Sequence, residues 1–297
     1  MNRFAAIALA AASPLLAVPS AAQGNFDNVE IKTEEIAPGV AVLFGRGGNI
    51  AVGYGDDATV MIDDQFAPLS EKIESAVAAL GAKPVKYVVN THWHFDHTGG
   101  NEHFGKAGAT IFAHDNVRVR MATGGEAAGN QTPPAPKEAL PVVTYGQGLR
   151  FHLNGDTINL MFLGGGHTDG DSVVHWEEKN IVHMGDLYFN IPGYPFVDTN
   201  SGGNVYNLLK SLDLVATNID SETKVIPGHG PMSNKAQLIA YRTMIGLAVS
   251  RVEKLHSQGM ALEAAIAAKP LEDFDVGEGG FIGPDAFVTA IWNSIDQ

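Results

Sequence analysis

A chain of 297 residues, 45% of them hydrophobic, is long enough to bury a full core, which excludes a disordered or fibrous protein. Its net charge of −14, from 19 basic and 33 acidic residues, argues against a nucleic-acid-binding face. With no cysteine there can be no disulfide, no thiolate ligand and no cysteine nucleophile, so any metal must be held by histidine or carboxylate.

The chain opens with Arg3, an apolar run from Phe4 to Val18 and then small residues, which is the pattern of a signal peptide. The small-x-small site at Ser20-Ala21-Ala22 places cleavage after Ala22. Residues 1–22 are therefore read as a leader and 23–297 as a single domain exported to the periplasm or the medium. Removal of Arg3 takes the charge from −14 to −15, and no later stretch is long and apolar enough to span a bilayer, so the mature protein is expected to act free of membrane.

Short β-rich runs follow at 40–45, 50–55 and 58–63, separated by Gly and Asp turns and read as an antiparallel meander. Ser70 is read as the cap of a helix over 71–82, with Ile73, Val77 and Leu80 on one face. Strands are expected at 85–90 and 109–114, a helix near 115–122, and a Gly- and Pro-rich loop at 123–141 that is a candidate lid or rim. The second half offers strands at 149–153, 157–163, 172–178 and 180–185, a strand and turn at 224–230, and helices at 204–218 and 234–257. Strands followed by helices in each half predict two sheets face to face with helices outside: a mixed α/β (α+β) fold, the four-layer αββα sandwich.

The chemistry is concentrated in THWHFDHTGGN (91–101), which puts His92, His94, Asp96 and His97 within six residues after an apolar strand. Residues two apart in an extended segment point the same way, so His92, His94 and Asp96 are expected to converge, with His97 turned to a neighbouring point. Such a cluster can begin two metal sites but cannot complete them. Three further strand ends run into a Gly-flanked polar residue, at His167, Asp186 and His229. An imidazole and carboxylate donor set suits two Zn2+ ions, and iron or manganese as well.

HWHFDH with GGGHTDGDS, HMGD and PGHG, in this order, resembles the metallo-β-lactamase superfamily over essentially the whole mature chain. The resemblance implies His92, His94 and His167 on a first metal, Asp96, His97 and His229 on a second, and Asp186 bridging the two. It also implies a supporting role for Asp63. The cysteine-containing zinc β-lactamases of that family carry a thiolate where this chain has Asp186. The bridging aspartate is instead the pattern of glyoxalase II enzymes, lactonases and broad-specificity hydrolases.

The expected activity is opening of a cyclic amide or ester of a small-molecule substrate by a metal-bridging hydroxide, since a bound metal lowers the pKa of water to about 7. Asp96 is expected to orient the hydroxide and Asp186 to hold the metal pair together. β-Lactam antibiotics are the first substrate class considered, because export would put the enzyme where those drugs arrive. The alternatives are a lactonase or a glyoxalase II-like esterase or thiolesterase, then an iron-dependent sulfur dioxygenase, then a non-catalytic metal-binding module. The aromatic segment 187–203 is read either as a pocket wall or as an anchor on the core, with Tyr188 and Tyr194 as candidate catalytic donors to an oxyanion. The six remaining histidines, His103, His114, His152, His175, His183 and His256, are assigned structural or surface roles, with His114 and His183 the two that could support the site, and Asp169 and Asp171 are assigned to a turn.

Overall fold

A computed structural model describes residues 25–127 and 129–295, so the leader and its cleavage site lie outside the described residues. The chain runs β1 (Lys32–Ala37), β2 (Val40–Phe44), β3 (Ile50–Gly53), β4 (Thr59–Ile62), α1 (Ser70–Ala79), β5 (Val85–Val89), α2 (Phe95–Thr98), α3 (Asn101–Lys106), β6 (Thr110–His114) and α4 (Asp115–Thr123). A hairpin of β7 (Gly125–Ala127) and β8 (Asn130–Thr132) precedes β9 (Val143–Tyr145), β10 (Gly148–Leu153), β11 (Asp156–Phe162), β12 (Ser172–Trp176) and β13 (Ile181–His183). The remainder is α5 (Val205–Asn218), β14 (Lys224–Ile226), β15 (Ser233–Asn234), α6 (Lys235–Ser257), α7 (Leu262–Ala267) and α8 (Pro284–Ile295).

Among the described residues, two large sheets result, of seven strands (β1-β2-β3-β4-β5-β6-β9) and six strands (β10 to β15 in order), beside the two-stranded β7-β8 hairpin. Strands β2, β3 and β4 form the expected antiparallel meander, which β1 extends, while β4, β5, β6 and β9 are parallel. Strand alternation sorts the apolar residues into layers. Val42, Val60, Ile62 and Val89 point inward to meet Leu160, Val174, Trp176 and Ile226 of the second sheet. Their neighbours Leu43, Met61 and Val88 point outward onto Ile73 and Val77 of α1 and Phe104 of α3. On the opposite outer face Val173, Val182 and Val225 pack against Leu208 and Leu212 of α5, Ile245 of α6 and Phe287 of α8. The molecule is thus the four-layer αββα sandwich.

Local differences have local causes. Ser70 lies inside the first turn of α1 and donates its hydroxyl to the Ala67 carbonyl, because a short 3-10 turn at Ala67–Leu69 leads directly into the helix. Strand β1, with polar residues exposed at four of its six positions, has no clear period-two pattern and escapes sequence reading. Helix α8 lies beyond the last expected element, although Phe287, Val288 and Ile291 give it a buried face. The 123–141 segment is not a bare loop: its hairpin and a 3-10 turn at Lys137–Ala139 bury Ala127 and Ala139 against Trp93. Among the described residues no helix is long and apolar enough to cross a membrane.

Both sheets deliver their strand ends to one edge. Ile62 of β4 pairs with Val89 of β5, and His183 of β13 pairs with Ile226 of β14, so the residues following these strands emerge side by side. The two sheets are tied there by the Ser172 N–H donating to the Thr91 carbonyl at 2.8 Å.

Candidate metal centre

All seven residues singled out by the sequence meet at that edge. Donor atoms of His92, His94, His167 and Asp186 lie within 4.8 Å of one another, and those of Asp96, His97 and His229 form a second group under the same limit. Asp186 stands between the groups: Oδ2 is 3.8 Å from His92 Nε2, 3.6 Å from His167 Nε2 and 3.4 Å from His229 Nε2, while Oδ1 is 3.2 Å from His97 Nε2. Asp96 departs from the simple alternation of the extended segment. A helical turn starts at Phe95, with His94 still extended as its cap (φ −65°, ψ 146°), and this carries Asp96 away from His92 and His94 to join His97.

Hydrogen bonds outside the centre fix the imidazole tautomers. His167 Nδ1 donates to the Phe196 carbonyl at 2.7 Å, since a carbonyl can only accept, which leaves the lone pair on Nε2. His94 Nε2 faces Asp198 Oδ2 at 2.8 Å and His97 Nδ1 faces Asp63 Oδ2 at 2.8 Å, so each directs its other nitrogen inward. The Thr91 hydroxyl gives its single proton to Asp63 at 2.8 Å and so accepts from His92 Nδ1 at 3.0 Å. His92 Nε2 and Asp186 Oδ1 are buried and make no hydrogen bond within the protein. His94 Nδ1 and His167 Nε2 oppose each other at 2.9 Å as two lone pairs, an arrangement that suits a shared cation. Imidazole held by a carboxylate or carbonyl on its far nitrogen is the usual support of a metal ligand. The residues present therefore fit the metal ions expected of them.

The backbone must approach closely here. A Cβ at Gly48 would lie 2.1 Å from the His97 ring, and one at Gly228 would lie 2.0 Å from Asp186 Oδ1. Solvent access is one-sided: His229 and Asp96 are 22% and 21% exposed, whereas the side chains of the other five are at most 5% exposed.

Electrostatics divide the two groups. Burial, reinforced by the neighbouring His94, pushes His167 down to about 4, and burial with the facing imidazoles holds His92 well below its ordinary range. Burial also opposes protonation of His229, but the carboxylates of Asp186 and Asp96 outweigh it and hold this imidazole up at about 9. Asp186 is held well below the usual carboxylate range: burial works against its ionisation, and His97, His229 and His92 overcome it. A raised imidazole pKa stabilises the metal-free fold fully below the unfolded value of about 6.5, and that stabilisation is lost as pH rises through about 9. The urea midpoint of chelated protein is expected to fall between pH 6.5 and 9.5. His229→Gln should flatten that dependence, and a midpoint independent of pH in the wild type would refute the pairing.

Several expectations about the surroundings change. Tyr188 and Tyr194, the candidate oxyanion donors, have their hydroxyls engaged within the protein. The Tyr188 hydroxyl bonds to Ser233 Oγ at 2.8 Å, the Tyr194 hydroxyl donates to the Leu271 carbonyl at 3.1 Å, and both rings are buried in the outer core. The phenylalanines of the same segment form the wall: Phe189 stacks on His229 (centroids 5.5 Å, 6°) and Phe196 stacks on His94 (5.9 Å, 21°). His183 lies beneath the centre, accepting from the Gly185 N–H at 3.1 Å next to Asp186. His114 caps α4 instead. Asp171 closes the Thr168 turn as expected, while Asp169 is held by two 2.7 Å hydrogen bonds from Arg120.

Two residues went unread in the sequence. Asp198 carries only the local signal of an Asp-x-x-Ser turn, accepting from the Ser201 N–H and hydroxyl, and nothing there points to His94, which lies 104 positions away. Asn49 gives no signal at all, yet its amide donates to the carbonyls of Pro227 (2.9 Å) and Gly230 (2.8 Å), clasping the loop that carries His229. Asn49→Ala is expected to weaken metal binding at the Asp96, His97 and His229 group about 10- to 100-fold, as loss of a supporting partner commonly does. A chelator competition titration would resolve that group from its neighbour, and equal weakening of both would refute the clasp.

The sandwich with a histidine- and aspartate-lined edge defines the class to which the chain belongs. Residues 45–232 match the family model of the metallo-beta-lactamase superfamily, and the chain is a member of that superfamily. Among curated relatives it is 24% identical over 148 residues to the 2,4-dinitroanisole O-demethylase subunit alpha of Nocardioides sp., matching 48% of this chain and 42% of that protein. It is 27% identical over 154 residues to the metallo-beta-lactamase type 2 of Bacteroides fragilis (51% and 55%). It is 26% identical over 181 residues to the hydroxyacylglutathione hydrolase of Polaromonas sp. (59% and 60%). The chain thus spans between 42% and 60% of the length of these relatives. Among solved structures, a metallo-beta-lactamase from Pontibacter korlensis superposes with a TM-score of 0.61 at 20% identity, covering 73% of this chain and 99% of that one. A sec-alkylsulfatase from Pseudomonas sp. superposes with a TM-score of 0.67 at 17% identity, covering 89% of this chain and 50% of that one.

Proposed function

We propose that the protein is an exported two-metal hydrolase that opens a cyclic amide or ester. The observation that carries this reading is Asp186, whose carboxylate faces both donor groups at once. His92, His94 and His167 would hold one ion, Asp96, His97 and His229 the other, and Asp186 both. When bound, zinc or a similar ion supplies Lewis acidity and acidifies water near neutral pH. Asp96, the more open of the two carboxylates, is placed to take the proton of the attacking water and return it to the leaving nitrogen or oxygen. Phe189 and Phe196 exclude water from the inner side of the centre and hold the imidazole rings in place by stacking. The complete second group supports two ions over the single iron of a dioxygenase.

β-Lactams are the first substrates to test, given a β-lactamase among the relatives and a leader-like stretch at 1–22. Lactones and esters are the second class, favoured by an aspartate rather than a thiolate at position 186 and by the hydroxyacylglutathione hydrolase among the relatives. The test is turnover of a chromogenic cephalosporin, p-nitrophenyl acetate and an acyl-homoserine lactone by the purified mature protein, with metal content measured on the same sample. Chelator-sensitive turnover restored by zinc, at about two ions per chain, is expected. Fully active protein with less than one ion per chain would refute the two-metal reading.

A further inference from the structure

The rim of the centre carries an unusual side chain. Phe281 is 72% exposed, the most exposed large apolar side chain among the described residues. It nevertheless meets the centre: its ring packs edge-on against Phe196 (5.8 Å, 89°), and Phe196 packs on His94 and His167 (5.9 and 5.3 Å). Its place is built rather than incidental. The segment bearing it is stitched to the 187–203 wall by hydrogen bonds from the Gly193 N–H to the Val276 carbonyl (2.8 Å) and from the Tyr194 N–H to the Ile282 carbonyl (3.1 Å). A Cβ at Gly280 would lie 2.4 Å from the Gly193 Cα, so the two segments of the wall touch through glycine. Ile191, 39% exposed, adds a second apolar side chain beside Gly230, next to His229.

Among the described residues, no Lys or Arg lies within ion-pairing distance of the carboxylates of the centre, Asp96 and Asp186, which face histidines. Arg120 is bound bidentately by Asp169, and Arg46 lies over the Phe26 ring. Aromatic faces beside carboxylates that have no Lys or Arg partner suit an apolar group better than a carboxylate.

We infer that the site takes uncharged esters or lactones bearing an alkyl or aryl acyl group, and that Phe281 with Phe196 forms the surface receiving that group. This rests on the hydrolase reading and deepens it. The bond broken is the acyl C–O bond. Water adds hydroxyl to the acyl carbon, and its second proton leaves with the alkoxide as the alcohol.

The test uses the full metal-loaded chain with p-nitrophenyl acetate, butyrate and octanoate. In the wild type kcat/KM is expected to rise about twofold per added methylene, the gain for covering a chain on one side. Phe281→Ala should lower the octanoate-to-acetate ratio about tenfold. Phe281→Leu should restore most of it, and Val142→Ala, at an exposed apolar position elsewhere, should leave it unchanged. A flat wild-type series, or a Phe281→Ala series with the wild-type slope, overturns the inference. A second readout separates it from the hydrolase reading: binding of 4-phenylbutan-2-one to metal-free protein, followed by ligand-observed NMR. If no ester, lactone or cephalosporin is turned over but the ketone binds and Phe281→Ala abolishes that binding, the hydrolase reading falls and the apolar surface stands. Equal binding to both proteins overturns the surface.

Discussion

Replacing Asp186 with asparagine is expected to lower kcat/KM by about three orders of magnitude for whichever substrate proves best, with bound metal falling from about two ions to about one. The geometry makes this the most sensitive position in the centre, because among the described residues Asp186 is the one carboxylate within ion-pairing distance of imidazoles of both groups, four in all. Asparagine keeps the volume, which matters because the Gly228 backbone leaves no room beside Oδ1 for a longer side chain. What it removes is the negative charge that would stand between two bound cations, worth several kcal/mol at the reacting centre. Turnover and metal content measured on the same preparation decide the matter. A variant that keeps two ions and wild-type turnover would show that the two groups do not act as one site.

The sequence exposes the centre well because its ligands are local in type even when remote in position. Histidines at strand ends flanked by glycine are hard to explain as packing, and the strands beneath them alternate cleanly between an inward and an outward layer. It misled where backbone conformation changes within one motif. An extended reading groups Asp96 with His92 and His94, and only the helical turn beginning at Phe95 assigns it to His97 and His229. It was also silent on partners that are ordinary residues made special by the fold. Asn49 and His229 are 180 positions apart, and no local pattern marks an asparagine whose amide clasps a distant loop. The aromatic segment at 187–203 shows the same limit: the tyrosines turn their hydroxyls into the core while the phenylalanines face the histidines, a choice set by tertiary packing.

Asp63→Ala is expected to be the most destabilising single change near the centre, by about 4–6 kcal/mol in metal-free protein, or about 10–20 °C in Tm. Asp63 is fully buried at the end of β4 and accepts from the Thr91 N–H (2.7 Å), the Thr91 hydroxyl (2.8 Å) and His97 Nδ1 (2.8 Å). Alanine would leave all three donors without a partner and would remove a carboxylate that, with Asp186 and Asp96, offsets the burial of the His97 imidazole and holds it well above its ordinary range. It would also have to adopt the left-handed backbone found there (φ 62°), which costs about 1–2 kcal/mol for a residue with a plain Cβ. Asparagine tolerates that conformation and fills the space, but it sets an amide N–H against one of the donors, so a smaller loss of about 2–3 kcal/mol is expected. The ordering carries the argument, and urea unfolding of chelated wild type, Asp63→Asn and Asp63→Ala measures it. Losses below 1 kcal/mol in both variants would mean that the Thr91 and His97 donors find other partners, and the fixed tautomer on which metal binding by His97 depends would lose its support.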